Sequence, residues 1–204
     1  MDTIARDFNR TVSQMVAPLI PDPDVLRRLL ARSSPQRVSK GEVILLRGDV
    51  PGHVYFVADG LMRMVSTDAE TGTERTAQFF DAGQMFTDPV AFFTQTPSTH
   101  GIEAIEPSHI LAMPRDALFE AFDEDHAVER VGRIFIQETL IGTHKRASRL
   151  LTLTVEERYE TFLRTRPEVA RRLPQYLIAS YLGVTPEGLS RIRRRIAHGA
   201  QAHG

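Results

Sequence analysis

The sequence lacks cysteine and long apolar runs, and each absence excludes a class of protein. Without cysteine there is no disulfide framework, no thiolate zinc site and no cysteine-held iron–sulfur cluster. The longest apolar runs, at 43–46 and 54–58, are far shorter than the roughly 20 residues that a membrane-spanning helix needs. Charges interrupt the first twenty residues before any apolar segment of signal-peptide length. We therefore expect a cytoplasmic protein with no membrane partner.

The charge that is present is unevenly distributed along the chain. Of the 204 residues, 42% are apolar and 25% charged, which is typical of a globular protein with one large core, or one core and a small second one. The net charge is −1, but residues 144–204 carry 12 Lys/Arg against 5 Asp/Glu, whereas residues 1–143 carry 13 against 21. A basic C-terminal end predicts a polyanionic partner. On charge alone, a solvated basic helix face explains the same surplus.

The stretch from Val38 to Met113 has the sequence pattern of a β domain. Short β-branched or aromatic runs alternate there with glycine-containing turns, which indicates an antiparallel sandwich or barrel. Asp59 and Gly60 separate two of these runs and predict a hairpin with a type I′ turn. The predicted strands are "EVILLR", "HVYFVA", "LMRMVST", "ERTAQFF", "QMFT", "GIEAIE" and "HILAMP".

Helical patterns flank this β region on both sides. Residues 2–32 read as helix, which Pro21 and Pro23 break, and a nearby aspartate can cap the short "VLRRLLAR" helix. After the short helix "RDALFEAF", residues 125–153 predict one helix, roughly 43 Å long at 1.5 Å per residue. That length indicates either a second chain packed against it or a link between two domains. Its apolar stripe, interrupted at Glu138 and Gly142, comprises Val128, Val131, Ile134, Phe135, Ile141, Ala147, Leu150 and Leu151.

The last fifty residues combine a helix start with a helix-turn-helix pattern. Thr154 and Glu157 have the spacing of a capping box, so a new helix and a second domain are expected to begin there. In "LPQYLIASYLGVTPEGLSRIRRRI", Ala179 and Gly183 stand at the fifth and ninth positions of a unit that begins at Gln175. A small fifth residue lets the second helix cross closely, and glycine turns the chain without steric cost. The mini-core would consist of Ile178, Leu182, Val184, Leu189 and Ile192.

The second helix of this unit presents candidate DNA-binding residues. Thr185 is the expected N-cap, and the outward face would carry Pro186, Glu187, Ser190, Arg191 and Arg194. Arg191 is the expected base reader, because a guanidinium bonds guanine O6 and N7 together, and Glu187 could accept from cytosine N4, with Ser190 a weaker contributor. Thr185, Arg193 and Arg195 are expected to contact phosphate. The alternative is a plain packing unit with a solvated arginine face.

Taken in order, these segments resemble the Crp/Fnr superfamily of bacterial transcription regulators. The most specific stretches are "KGEVILLRGDVPGHVYFVADGLMRMV", which resembles the first strands of a cyclic-nucleotide-binding β-roll, and "YLIASYLGVTPEGLSRIRRRI". The resemblance implies an α+β chain: a double-stranded β-helix (β-roll or jelly-roll) sensor domain at 1–124, a dimerisation helix at 125–153 and a helix-turn-helix domain at 154–204. It also implies a homodimer on a near-palindromic operator of double-stranded DNA, with RNA polymerase as a further partner.

The chain departs from that family at two places. Where cyclic-nucleotide-binding members have a Gly-Glu-Leu turn and an arginine for the cyclic phosphate, this sequence has Thr87 and Asp88, then Ser98 and Thr99. Asp88 can hold a hydroxyl and Thr99 can donate a hydrogen bond, but the cation is missing. We therefore expect an effector pocket that does not use cyclic AMP or cyclic GMP as a cofactor. Only "AHGAQAHG" follows Ile196, so a full β-hairpin wing is not expected.

Two other classes of function compete with DNA binding. A glycine-rich β-barrel also resembles the metal-binding cupins, but His53, His100 and His109 lie far apart and no His-x-His occurs in the β region. None of the seven histidines has a spacing that marks a haem or metal ligand, so neither metal nor catalytic residues are expected. A ligand-sensing interaction module shares the β-roll and lacks the helix-turn-helix, which makes specific DNA binding the discriminating property.

Overall fold

The computed structural model describes Pro18, Ile20 and residues 22–68 and 70–201, with side chains up to residue 196. The chain divides into two compact units. The first comprises the described residues up to Ser66 together with Gln78–Glu138, and the second comprises Thr67–Ala77 and the chain from Thr139 onwards. The N-terminal part of the predicted helix over 2–32 lies outside the described residues.

Two four-stranded antiparallel sheets build the β domain, which confirms the predicted α+β fold with a β-roll. In one sheet the strand order is β1-β8-β3-β6, and in the other it is β2-β7-β4-β5. The first strand, β1, has the sequence SPQRV and was not expected, because its residues are mostly exposed and carry no alternating apolar signal. The strand bounds are Ser34–Val38, Val43–Leu45, His53–Asp59, Leu61–Thr67, Glu74–Asp81, Met85–Phe86, His100–Ala104 and Ser108–Pro114 for β1 to β8.

The turn at Asp59 and Gly60 differs from the predicted hairpin. It joins β3 to β4, and these strands belong to different sheets rather than pairing with each other. Gly60 has a φ of 105°, but Asp59 does not have the positive φ that a type I′ turn requires. A Cβ on Gly60 would lie 2.2 Å from Ser108 Oγ, so glycine is needed there for a close approach to β8 as well as for its backbone angle.

Within its described residues, the first unit also contains three short helices: α1 (Pro23–Ala31), α2 (Pro89–Thr94) and α3 (Arg115–Glu124). The Asp22 side chain caps α1 by accepting from the amide of Asp24, and the Asp88 side chain caps α2. We did not expect α2, because its six residues are too few to show a helical period. The helices bury an apolar cluster of Ile20, Val25, Leu26, Ala121, Val128 and Val131.

The long helix, α4, spans His126–Thr152, close to the predicted 125–153. The burial of the predicted apolar stripe differs along the helix: Val128 and Val131 are buried, whereas Ile141, Leu150 and Leu151 are exposed. Leu140, which was not part of the predicted stripe, is also exposed. This part of α4 therefore leaves large apolar side chains without cover in the single chain. Across the described residues, α4 included, we find no helix with the length and apolarity to cross a membrane.

The second unit contains four further helices and the tip of the β4–β5 hairpin. The helices are α5 (Val155–Thr165), α6 (Pro167–Arg172), α7 (Gln175–Leu182) and α8 (Pro186–Gln201). The predicted capping box at the start of α5 is confirmed, because Thr154 Oγ1 accepts from the Glu157 amide and the Glu157 carboxylate accepts from the Thr154 amide. The last of these helices, α8, extends to Gln201, the last residue that the structure describes, so the expected lack of a full wing stays a prediction.

Candidate nucleic-acid interface and effector pocket

The turn between α7 and α8 has the geometry of a helix-turn-helix. Gly183 has a φ of 75°, the left-handed conformation that glycine adopts without steric cost, which confirms its predicted role as the turn residue. Ala179 is fully buried, and its carbonyl accepts from the Val184 amide at 3.0 Å. The two helices therefore meet over a side chain small enough to let them cross closely.

The first turn of α8 orients the remaining residues. Thr185 Oγ1 accepts from the Gly188 amide at 3.1 Å and so caps the helix. Leu189 and Ile192 are buried against the rest of the unit, which fixes the rotation of α8 about its axis. All eight candidate DNA-binding residues are consequently exposed: Thr185, Pro186, Glu187, Ser190, Arg191, Arg193, Arg194 and Arg195.

The arginines of α8 differ in their local partners. Arg191 and Arg193 form no hydrogen bond or ion pair with any described residue of the chain. Arg195 pairs with Glu156 in the first turn of α5, and both side chains are partly exposed. An open cleft runs between these helices, lined by Val155, Glu156, Gly188, Arg191, Ile192, Arg194 and Arg195. The lining of this cleft is thus strongly basic, with three arginines against one glutamate.

The candidate effector pocket lies in the first unit and centres on Asp88. Its side chain is almost fully buried, and Oδ1 accepts from the Ala91 amide at 3.2 Å. Oδ2 accepts from Ser98 Oγ at 2.7 Å and lies 3.0 Å from His100 Nδ1. Burial alone would raise the pKa of Asp88, but the hydrogen bonds from His100, Ser98 and the amide outweigh it and hold the pKa below its ordinary value. Both carboxylate oxygens therefore already have partners.

The other three candidate pocket residues are arranged around this carboxylate in different ways. Thr87 is buried and donates to the carbonyl of His53 at 3.0 Å, whereas Thr99 is exposed with its hydroxyl 3.2 Å from His100 Nδ1. Ser98 is buried and also bonds the His100 carbonyl at 2.8 Å. His100 is the residue that sequence reasoning missed. Its position two residues after Ser98 was the available signal, because a histidine so close in sequence to a candidate pocket residue can reach the same carboxylate.

Metal ligation has no structural support in the region covered by the structure. Among the described residues, no group of three or more His, Asp or Glu side chains is arranged to hold a metal ion. A small apolar cavity of about 70 Å³ lies between α1, α3, α4 and the sheet that contains β3 and β8. It is lined almost entirely by aliphatic and aromatic side chains, so it offers no ligands for an ion.

Comparison with known proteins agrees with this architecture. The cyclic nucleotide-binding domain family matches residues 35–125. No curated protein sequence matches the chain. The c-di-GMP-responsive global regulator CLP from Xanthomonas campestris superposes with a TM-score of 0.71 at 19% identity, over 88% of this chain and 93% of that protein.

Two further solved structures have the same arrangement. FixK2 from Bradyrhizobium japonicum gives a TM-score of 0.68 at 23% identity, over 82% of this chain and 86% of its own. A protein from Eubacterium rectale assigned to the Crp/Fnr family of transcriptional regulators gives a TM-score of 0.68 at 18% identity, over 89% of this chain and 87% of its own. The chain therefore has the fold of the Crp/Fnr regulators, with a cyclic nucleotide-binding-type domain at residues 35–125.

Proposed function

We propose that this protein is a Crp/Fnr-type transcription regulator that binds a near-palindromic DNA operator as a homodimer and does not respond to cyclic AMP or cyclic GMP. The observation that carries the proposal is the outer face of α8. A capped helix that follows a glycine turn presents exposed arginines, while Leu189 and Ile192 anchor its inner face. A helix with this geometry fits the major groove of B-DNA.

Within this proposal, Arg191 reads a guanine, and Glu187 and Ser190 contact neighbouring bases. Arg191 suits that role because it is exposed and no described side chain competes for its guanidinium. Arg193, Arg194 and Arg195 follow on the same helix, where they would neutralise phosphates on either side of the groove. Thr185 at the N-cap is placed to donate to a phosphate from its exposed position.

The second half of α4 supports a homodimer. Leu140, Ala147 and Leu151 follow steps of seven and four, which places them within roughly 40° of one another on an ideal helix. All three are exposed, and Leu151 is 87% exposed. An apolar line of this kind is normally covered, and a second copy of α4 would cover it symmetrically. Two recognition helices would then face successive major grooves, about 34 Å apart.

The surroundings of Asp88 support independence from cyclic nucleotides. Ser98 stands where a cation would face the cyclic phosphate, and its hydroxyl donates to Asp88. An incoming phosphodiester would therefore meet a buried carboxylate with a lowered pKa, and the neighbouring His100 ring is already bonded to that carboxylate. Placing two anions together in a partly dry pocket costs several kcal/mol.

Selection from a randomised DNA pool tests the proposal directly. The purified full chain would be incubated at one fixed salt concentration, with and without cyclic AMP or cyclic GMP, and bound DNA would be sequenced. We expect a two-fold symmetric motif that does not change with nucleotide. A motif recovered only with a cyclic nucleotide would overturn the effector part of the proposal. No enrichment under any condition would favour an interaction module without specific DNA binding.

A further inference from the structure

The tip of the β4–β5 hairpin belongs to the same compact unit as the helix-turn-helix. Thr67–Ala77 group with the chain from Thr139 onwards, although the strands on either side run in the sheet of the first unit. Thr76 is almost fully buried, and its amide donates to Ser180 Oγ at 2.8 Å. Ser180 lies in α7, two residues before its last residue. A backbone amide of the hairpin is therefore bound to the first helix of the helix-turn-helix.

Arg146 of α4 holds the same junction from a third element. Its guanidinium stacks over the Tyr181 ring with 4.0 Å between Cζ and the ring centroid, and Nη2 donates to the Tyr181 carbonyl at 3.1 Å. The same nitrogen lies 3.4 Å from the Thr76 carbonyl. A cation at the C-terminal end of α7 also meets the negative end of the helix dipole. One side chain thus connects α4, the hairpin tip and α7.

The burial of Arg146 distinguishes it from its neighbours. Between residues 140 and 152 of α4, all other residues are exposed and Arg146 alone is half-buried. On an ideal helix it lies about 100° from Ala147, away from the apolar line that we assign to the dimer. Arg146 is therefore available to orient the helix-turn-helix without taking part in the dimer contact.

Local hydrogen bonds join several described residues of the hairpin tip. Asp68 Oδ1 accepts from the amides of Glu70 and Thr71 and from the Thr71 hydroxyl, and these bonds lower the pKa of Asp68. The Asp68 amide donates to the Thr73 carbonyl at 3.0 Å, which closes the loop. The hairpin residue that meets α7 and Arg146, Thr76, therefore follows a locally bonded turn.

We infer that Arg146 is a positioning residue that, with the hairpin tip, fixes the angle between the dimer helix and the recognition helix. This inference rests on the proposed function, because the angle matters only if two recognition helices must reach two half-sites together. The internal core of Ile178, Ala179 and Leu189 keeps α7 and α8 in register with each other. Their orientation relative to α4 depends on additional contacts, and Arg146 supplies two of them directly, both to Tyr181, and a third to the hairpin residue Thr76.

The test compares Arg146→Ala with Arg149→Ala in the full chain. Arg149 has the same charge on the same helix, and its exposed side chain forms no hydrogen bond or ion pair with any described residue, so it controls for the loss of charge. We expect Arg146→Ala to weaken binding to the selected full operator about tenfold, and to a single half-site by less than about twofold. Arg146→Lys should give an intermediate loss, because lysine keeps the charge but lacks the planar guanidinium that stacks on the Tyr181 ring while it donates to the carbonyls.

The salt dependence separates positioning from direct DNA contact. Arg146→Ala should leave the slope of log affinity against log salt unchanged, whereas losing a phosphate contact reduces the slope by about 1. Affinities for Arg146→Ala equal to those of Arg149→Ala would overturn the inference. So would a parallel loss on half-sites and full operators, or a reduced salt slope.

Amide hydrogen exchange tests the same contact without DNA, so the inference can be judged even if the proposed function fails. Arg146→Ala and Ser180→Ala should each speed exchange in 67–77 and in α7, while α5 stays protected. Thermal unfolding of each variant checks that the domain remains folded. Unchanged exchange at the hairpin tip in both variants would show that these contacts do not hold the junction.

Discussion

The two units treat their charged groups in opposite ways. In the β domain, Asp88 is buried and both its oxygens are bonded to partners that lie 3 to 12 residues along the chain. In the helical unit, Arg191 and Arg193 are exposed and form no hydrogen bond or ion pair with any described residue. A buried charge needs hydrogen-bond or ionic partners within the chain, whereas an exposed charge is hydrated by water and remains accessible to a ligand. The exposed arginines of α8 are therefore open to an anionic partner, whereas the Asp88 carboxylate is already satisfied within the chain.

Removing the Asp88 carboxylate should have the largest effect. Asp88→Ala deletes a helix cap and leaves Ser98 and His100 without their shared acceptor, so we expect a loss of about 2–4 kcal/mol in the free energy of unfolding. Chemical denaturation would measure it, and Asp123→Ala on α3 is the matched control because that side chain is exposed. Equal stability of the two variants would contradict the assignment of Asp88 as a structural anchor.

Arg191→Ala should cost about 1–3 kcal/mol on the selected operator and relax base preference at one position. The reason is the loss of a bidentate contact to a base, which backbone contacts do not replace. Competition binding with single-base operator variants would measure the effect. Arg164→Ala, an exposed arginine on α5, is the control. A uniform loss across all sequences would place Arg191 on a phosphate instead.

Gly183→Ala should destabilise the helical unit by about 1–2 kcal/mol, because alanine disfavours a φ of 75°. We expect the helical unit to unfold at a lower denaturant concentration, while the β domain unfolds at the same concentration as in the parent. Hydrogen exchange measured across a denaturant series would follow the two units separately. Gly188→Ala is the matched control, since its Cβ would meet only ordinary contacts. Equal effects of the two changes would mean that the turn tolerates a side chain.

The change in stability that acid causes through Asp88 should be smaller than the change caused by deleting its side chain. Because the folded-state pKa is lowered, the ionised carboxylate contributes stability that is fully present above the ordinary aspartate pKa of about 3.9 and is lost as pH falls through the lowered value. Asp88→Asn should therefore be less stable than the parent at neutral pH, with the gap narrowing in acid. A gap that stays constant from neutral to acid pH would argue against an ionised Asp88.

The Glu156 to Arg195 ion pair should have the smallest effect. Exposed pairs contribute about 0–1 kcal/mol, so Glu156→Gln should hardly change stability. It should strengthen binding to all DNA sequences slightly, because a negative charge leaves the cleft and Arg195 is released for phosphate. Titration at low and high salt would show the gain shrinking as salt rises. Weaker binding would mean that Glu156 is needed to orient Arg195.

Short-range features could be predicted from the sequence. Gly183 at the turn and the Thr154 capping box depend on residues within four positions of each other, and the structure confirms both. The turn at Gly60 was predicted as a hairpin, yet its strands belong to different sheets. Local composition indicates where the chain turns. Whether the strands on either side of the turn pair with each other depends on the packing of the whole domain.

The sequence by itself determined the helix-turn-helix, the long helix and the presence of a β domain, because each depends on a local hydrophobic period, a helix cap or turn residues. Only the tertiary structure decided the surroundings of Asp88, which depend on His100 twelve positions away. It alone also brought Arg146 to Thr76 and Tyr181, 70 and 35 positions away along the chain. Contacts of this kind leave no periodic signal, since they are fixed by how elements pack and not by the order of neighbouring residues.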